Sequence, residues 1–230
     1  MLADAEPHLA GFHQVEQRAL SLASGGQSEI RLSIDSIFPN ERLFTALAEF
    51  ARCFPHVHQK LRQTTFISAD SEFSAHNAHL CVAGLMSSEY FVKPILDIGM
   101  MAVAHRAHAL HSLKRQVSRI DMMQHTLVVI EAAGSGNTKR QPRSPAQRFL
   151  PVTTIEAAIN AVRSGLCFGW LQEYRIRTYL DSAEFLALGM PVGGTREVRL
   201  NLVCRDSNPG SREVSALAEL LGVDGEAQTI

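Results

Sequence analysis

Thr153 and Glu156 stand in the S/T-x-x-E spacing of a capping box, at the head of an apolar segment with helical periodicity. In such a box each side chain bonds the other residue's backbone N–H. The free N–H groups and positive dipole end of a helix start form a small anion site. His105, His108 and His111 recur every three residues and could share a face as nitrogen ligands. No Cys or carboxylate lies near them in sequence, so no metal is expected. Gly134-Ser135-Gly136-Asn137 resembles an anion nest but lacks the Lys-Ser/Thr of a P-loop. Arg140, Arg143 and Arg148 read as a solvated loop. No G-x-S-x-G, H-E-x-x-H or other catalytic set is present, so neither an enzyme nor a cofactor is expected. Cys53, Cys81, Cys167 and Cys204 are scattered in apolar segments without a C-x-x-C pair, which predicts buried thiols and a cytoplasmic location.

The elements that position the Thr153 start are legible around it. Phe149 to Val152 is a short apolar strand, and Ile155, Ala158, Ile159 and Val162 share one helix face. Ser164-Gly165 supplies a stop. Leu166 to Leu171 is a nearly continuous apolar run, the pattern of a strand buried on both faces. Open α/β sheets bind ligands at such strand ends.

The whole chain has 230 residues, 46% hydrophobic and 20% charged, with a net charge of −1. That suits one large domain or two small ones and lacks the basic surplus of a free-standing nucleic-acid binder. Apolar runs such as Ile98 to Ala104 fall far short of the roughly 20 residues that cross a bilayer. The start, MLADAEPH, has neither the basic nor the apolar region of a signal peptide.

Residues 1–27 predict a helix from Pro7 to about Ala23, with Leu2, Ala5, Leu9 and Phe12 at coiled-coil spacing, read as a linker or dimerisation helix. Ile30, Leu32 and Ile34 alternate as a strand. A helix follows with Leu43, Phe44, Leu47, Phe50 and Ala51 inward, ended by Pro55. Val57–Gln63 and Leu80–Gly84 predict strands, with a loop and short helix between. Tyr90–Leu96 and Gly99–Ala104 are two extended segments, His105–His111 a loop and Arg119–Gln124 a helical turn. His125–Ile130, Glu184–Leu188 and an alternating Arg196–Cys204 add strands. Helices lie near Gln172–Leu180 and Ser211–Leu221. Alternating strands and helices predict an α/β fold with largely parallel sheets.

The succession SIDSIFPNERLFTALAEFARCFPHVHQKLRQ, HLCVAG, MMAVAHRAHAL, TIEAAINAVRSGLCFGWL and REVRLNLVCRD resembles the effector-binding region of LysR-type transcriptional regulators over about residues 28–222. Departures are His79 for a usual Asp, Arg106-Ala107 before His108, Gly165-Leu166-Cys167 for a G-L-G motif, and Gln172 for a usual Pro. The resemblance implies two Rossmann-like lobes of the type 2 periplasmic-binding-protein kind. Lobe I would be 29–98 plus 196–223, lobe II 99–195, with a linker helix over 1–27 and a tail over 224–230. The family's N-terminal winged helix-turn-helix has no counterpart in residues 1–27, so the chain reads as a regulator without its DNA-reading head.

By that resemblance a small effector, an organic acid or similar, sits between the lobes and shifts their arrangement. The expected contacts are Ser36, Ile37, Phe38, Thr64, Thr65, Phe66, Glu131, Thr153, Thr154 and Trp170. Glu131 would repel an anion unless it faces away. The implied partners are the effector, further copies of the chain as dimer or tetramer, and RNA polymerase in the full-length context. DNA would be reached only through the absent head, and no membrane is implied. The alternative is a solute-binding protein of the same fold class.

Overall fold

The computed structural model describes residues 28–65, 69–84, 91–131, 148–204 and 212–222. The expected helix before residue 28, Phe66, the Gly134–Pro145 loop and the tail after 223 lie outside the described residues.

Among the described residues nine strands form one curled sheet: β1 (Ser28–Asp35), β2 (Val57–Thr64), β3 (Leu80–Ala83), β4 (Phe91–His105), β5 (Thr126–Ile130), β6 (Arg148–Val152), β7 (Phe168–Gln172), β8 (Phe185–Ala187) and β9 (Thr195–Cys204). Their order is β2-β1-β3-β9-β4-β7-β5-β6, with β8 added on β4. The helices are α1 (Asn40–Cys53), α2 (Ala69–Ala75), α3 (Arg119–Met123), α4 (Ile155–Arg163), α5 (Glu173–Asp181) and α6 (Arg212–Gly222). The sheet is mixed rather than largely parallel. β1 pairs in parallel with β2 and β3, and β5 with β6 and β7. Between these groups β4 and β9 run antiparallel, from Phe91 opposite Cys204 to Met101 opposite Thr195.

β4 replaces the two extended segments expected around residue 97. Its ladder with β9 continues through Gly99, opposite Glu197, and the register shifts only between Pro94 and Leu96. Proline has no N–H to give, which is where a ladder tolerates a bulge. The alternation read over Arg196–Cys204 holds to Leu200. Asn201 to Cys204 are then all buried, because here β9 lies between β3 and β4.

Apolar side chains gather in two principal clusters. One joins β1, α1, β3 and α6 with Ile98 and Met100 of β4; the other joins α4, Leu171, Ile176 and Phe185 with Val103 of β4. In α1 the buried residues are Leu43, Ala46 and Phe50, while Phe44 is 54% exposed and Ala51 is exposed. The expected face was thus rotated: positions 43, 46 and 50 lie on one stripe, and 44 and 51 fall off it. In α4 all four expected residues, Ile155, Ala158, Ile159 and Val162, are buried. Cys81, Cys167 and Cys204 are buried as expected, and burial pushes the Cys167 thiol up to about 11, but Cys53 is exposed at the end of α1.

The strand after α4 begins at Phe168, not Leu166, which is 60% exposed. Gly165, at φ +77°, turns the chain, and two more residues return it to the sheet. Gly169 is required by packing, since a Cβ there would lie 2.6 Å from Val128 Cγ1 of β5.

Candidate functional site

Two parallel-strand ends, one on each side of the β4–β9 ribbon, carry the residues singled out by the sequence. At the first, β1 stops at buried Asp35, whose Oδ1 accepts from Ile37 N at 3.1 Å, while Phe38 N donates to the Asp35 carbonyl at 2.9 Å. This Asx-type turn holds Ser36 beside the end of β2. There the hydroxyls of Ser36 and Thr65 are 2.8 Å apart. Thr65 is buried. Ile37 and Phe38 are core side chains, and what Ile37 offers outward is its carbonyl. That carbonyl accepts from the Tyr174 hydroxyl of α5 at 3.1 Å, a bond between the two sides of the molecule. Burial raises the Tyr174 phenol, which stays protonated and donating. Thr64 ends β2, and its side chain lies outside the described residues, as does all of Phe66.

At the second strand end the expected capping box is absent. Helix α4 starts one residue later than read: Thr154 is the N-cap, and its Oγ1 accepts from Ala157 N at 3.1 Å. Glu156 therefore sits at the second helical position rather than the third, out of reach for the box, and pairs with Arg175 of α5 instead. Thr153 and Thr154 are both exposed, and Thr153 makes no side-chain hydrogen bond among the described residues. Glu131 is exposed beside them, its N–H bonded to the Val152 carbonyl at 2.8 Å. A true capping box stands elsewhere, at Ser118 and Asp121 on α3. The S-x-x-D spelling was its signal.

Trp170 lies in β7 opposite Ala102, half-buried, with its indole N–H donating to the Gly193 carbonyl at 2.9 Å. The Arg196 guanidinium sits 5.2 Å from its ring centroid. Near the Tyr174 bond, the start of α1 (Pro39, Asn40, Glu41) faces Ile159, Arg175 and Tyr179 across a groove of about 440 Å³. Sequence reasoning missed Asp35, Tyr174 and Arg175. An aspartate followed by Ser at a strand end was the available signal for the first; for the other two the start of α5 gave none.

The His105–His111 segment is more ordered than the expected loop. His105 ends β4, and His108 caps a 3-10 turn over Ala109–Ser112, its Nδ1 accepting from Leu110 N. His108 is buried with its ring centroid 4.9 Å from that of His125. Desolvation, aided by His125, His111 and His105, pushes it down to about 4. Among the described residues no group of three His, Cys, Asp or Glu is arranged to hold a metal ion.

An α/β sheet with one core on each side of a shared antiparallel ribbon, and parallel-strand ends flanking it, is the type 2 periplasmic-binding-protein-like fold. Residues 23–223 match the model of the LysR substrate binding domain, and the chain belongs to that family. It is therefore built as the effector-sensing part of a LysR-type transcriptional regulator, a class defined by binding rather than catalysis. Solved structures agree on the fold. The regulatory domain of MetR, a LysR family regulator from N. meningitidis, aligns over 85% of this chain and 92% of its own, with 14% identity and a TM-score of 0.65. The CcmR regulatory domain of Synechocystis PCC6803, solved in complex with 2-PG, aligns over 88% and 99%, with 17% identity and a TM-score of 0.67. Full-length LysG from Corynebacterium glutamicum with bound effector Arg aligns over 90% and 71%, with 14% identity and a TM-score of 0.61. No curated protein matches the chain in sequence. No helix among the described residues is long and apolar enough to cross a membrane.

Proposed function

We propose that this chain senses a small organic acid, or a similar polar effector, in a cleft between lobe I (29–98 and 196–223) and lobe II (99–195), without catalysis or a cofactor. The observation that carries the reading is the Ser36–Thr65 hydroxyl pair, held 2.8 Å apart next to the Ile37 carbonyl that Tyr174 engages from the other side. A carboxylate accepts well from two hydroxyls and from free N–H groups at a helix start. A ligand bridging Ser36 and Thr65 to Thr153 and Thr154 binds both lobes at once, so its affinity depends on their arrangement. That difference is what shifts a two-state equilibrium. Ile37, Phe38, Thr64 and Phe66 would shape the lobe I wall; Glu131 and Trp170 would flank the lobe II side.

In this reading the output is a change in how a dimer or tetramer of the regulator sits on DNA in the cytoplasm. DNA contact belongs to a winged helix-turn-helix and RNA polymerase contact to the full-length context. Residues 1–27 would serve as the linker and dimerisation helix. The test is a thermal-shift screen with organic acids, amino acids and aromatic acids. A ligand at about 100 times its Kd stabilises the native state by about 2.7 kcal/mol. The expected result is a stabilising acid whose effect falls in both Ser36→Ala and Thr153→Ala. A stabilising ligand indifferent to both substitutions overturns the proposed site, and a clean monomer by light scattering at high micromolar concentration overturns the assembly.

A further inference from the structure

Three strands cross the middle of the sheet in register. Met100 of β4 is opposite Arg196 of β9 on one side and opposite Gln172 of β7 on the other. Directly opposed residues share a face, and so do residues two apart along a strand. Arg196, Met100, Gln172 and Trp170 therefore stand on one surface. Met100 and Trp170 pack in the same apolar cluster as Ile37 and Phe38, so this surface looks toward the turn that carries Ser36.

Two of these four side chains have no polar partner among the described residues. Gln172 is 0% exposed, and neither its amide nitrogen nor its amide oxygen has a hydrogen-bond partner among the described residues. Buried amides are nearly always paired, so an orphan of both ends marks a place where a partner belongs. Arg196 makes no ion pair among the described residues, and its guanidinium lies over the Trp170 ring. Partial desolvation beside the Trp170 ring lowers its guanidinium, although the side chain as a whole stays exposed. The nearby acids are engaged elsewhere: Asp97 holds Arg199 at 2.9 and 3.0 Å, and Glu173 faces Arg177.

The Arg196 side chain reaches across β4 to lie over Trp170, two residues from Gln172. Trp170 and Gln172 are about 6.6 Å apart along the strand backbone, so a guanidinium lying over Trp170 and the Gln172 amide are neighbours on the same face of β7. We propose that Arg196 and Gln172 form a carboxylate-binding subsite on the sheet floor, with Arg196 taking the charge and the Gln172 amide donating to the second oxygen. This deepens the cleft reading and rests on it. Arg196 is exposed and meets the ligand first. Gln172 is sealed, so completing the contact requires the side chains packed over it to move. A carboxylate thus favours an arrangement other than the one described, which is the property an effector needs.

Trp170 is the only tryptophan in the chain, so its emission reports on the Arg196–Trp170 contact directly. The experiment titrates the protein with acetate, glutarate and benzoate, each against its neutral amide. The acids are expected to change Trp170 emission saturably and the amides to leave it unchanged. Arg196→Met should weaken acid binding about tenfold or more, with Arg196→Lys between it and the parent. Gln172→Leu should weaken binding while raising the melting temperature of the free protein, because it removes an orphan amide.

Amides acting as well as acids, Arg196→Met binding like the parent, or no response to any acid up to about 20 mM, a generous limit for an effector, each overturns the subsite. A ligand that stabilises the parent and Arg196→Met equally, yet fails with Ser36→Ala, removes the subsite and leaves the cleft reading standing.

Discussion

At the end of β1, Ser36 bonds Thr65, Asp35 accepts from Ile37 N, and Ile37 receives Tyr174; at the end of β6, the Thr153 side chain makes no hydrogen bond among the described residues and Thr154 caps its helix. Both places come from the same local plan, a parallel strand running into a helix start with hydroxyl residues between. The first is buried and already hydrogen-bonded; the second is exposed. A ligand at the Ser36 side exchanges one set of hydrogen bonds for another, whereas at Thr153 it only adds them. Orientation would come from the first strand end and affinity gained on closure from the second.

The largest expected effect breaks the first region from beneath. Phe38 is fully buried under its turn, with Arg42 over its ring. Phe38→Ala should destabilise the protein by about 3–5 kcal/mol in urea unfolding; a loss under about 1 kcal/mol would show that the turn does not depend on its anchor.

An intermediate effect sits on the other half. His108 is pushed down to about 4 from 6.5 by desolvation first, and by His125, His111 and His105. The unfolded chain takes up this proton before the folded one, so stability present above pH 6.5 is lost as pH falls toward 4. The loss is about 2–3 kcal/mol across that window, and His108→Gln should flatten the curve. A parent profile as flat as the variant's would mean that the site is not sealed.

The smallest effects compare the two threonines directly. Thr154→Ala should cost about 1 kcal/mol, the worth of an N-cap. Thr153→Ala should stay within about 0.5 kcal/mol while reducing the affinity of any ligand that reaches the cleft. Equal losses of stability would make Thr153 a structural residue and close the proposed contact.

The α/β order, the four buried residues of α4, the stop at Gly165 and the short α3 were legible because periodicity and turn chemistry are local. The α4 start was misread by one position because two consecutive threonines offer two caps, and only the backbone geometry selects Thr154. Phe44 was read inward because a hydrophobic side chain near the stripe looks like part of it until the packing partner is fixed. The Ser36–Thr65 pairing was legible as two strand ends but not as a bond, since β1–β2 register brings together residues 29 apart. Gln172 and Arg196 were beyond reach: their incompleteness is a property of three strands in register, 24 residues apart in the chain and joined only through Met100.

β4 belongs to both cores. It gives Ile98 and Met100 to one and Val103 to the other; its ladder with β9 runs without a shift from Leu96 to Met101, and Val103 then pairs with β7 and β8. One strand, Phe91–His105, therefore carries the chain across the middle of the sheet. Turning one core against the other must wind or unwind this two-stranded ribbon, as one twists a strap. The restoring torque of that strap, softened at the register shift between Pro94 and Leu96 and where Gly99 leaves a side chain out, then sets how stiffly the whole domain answers a bound molecule.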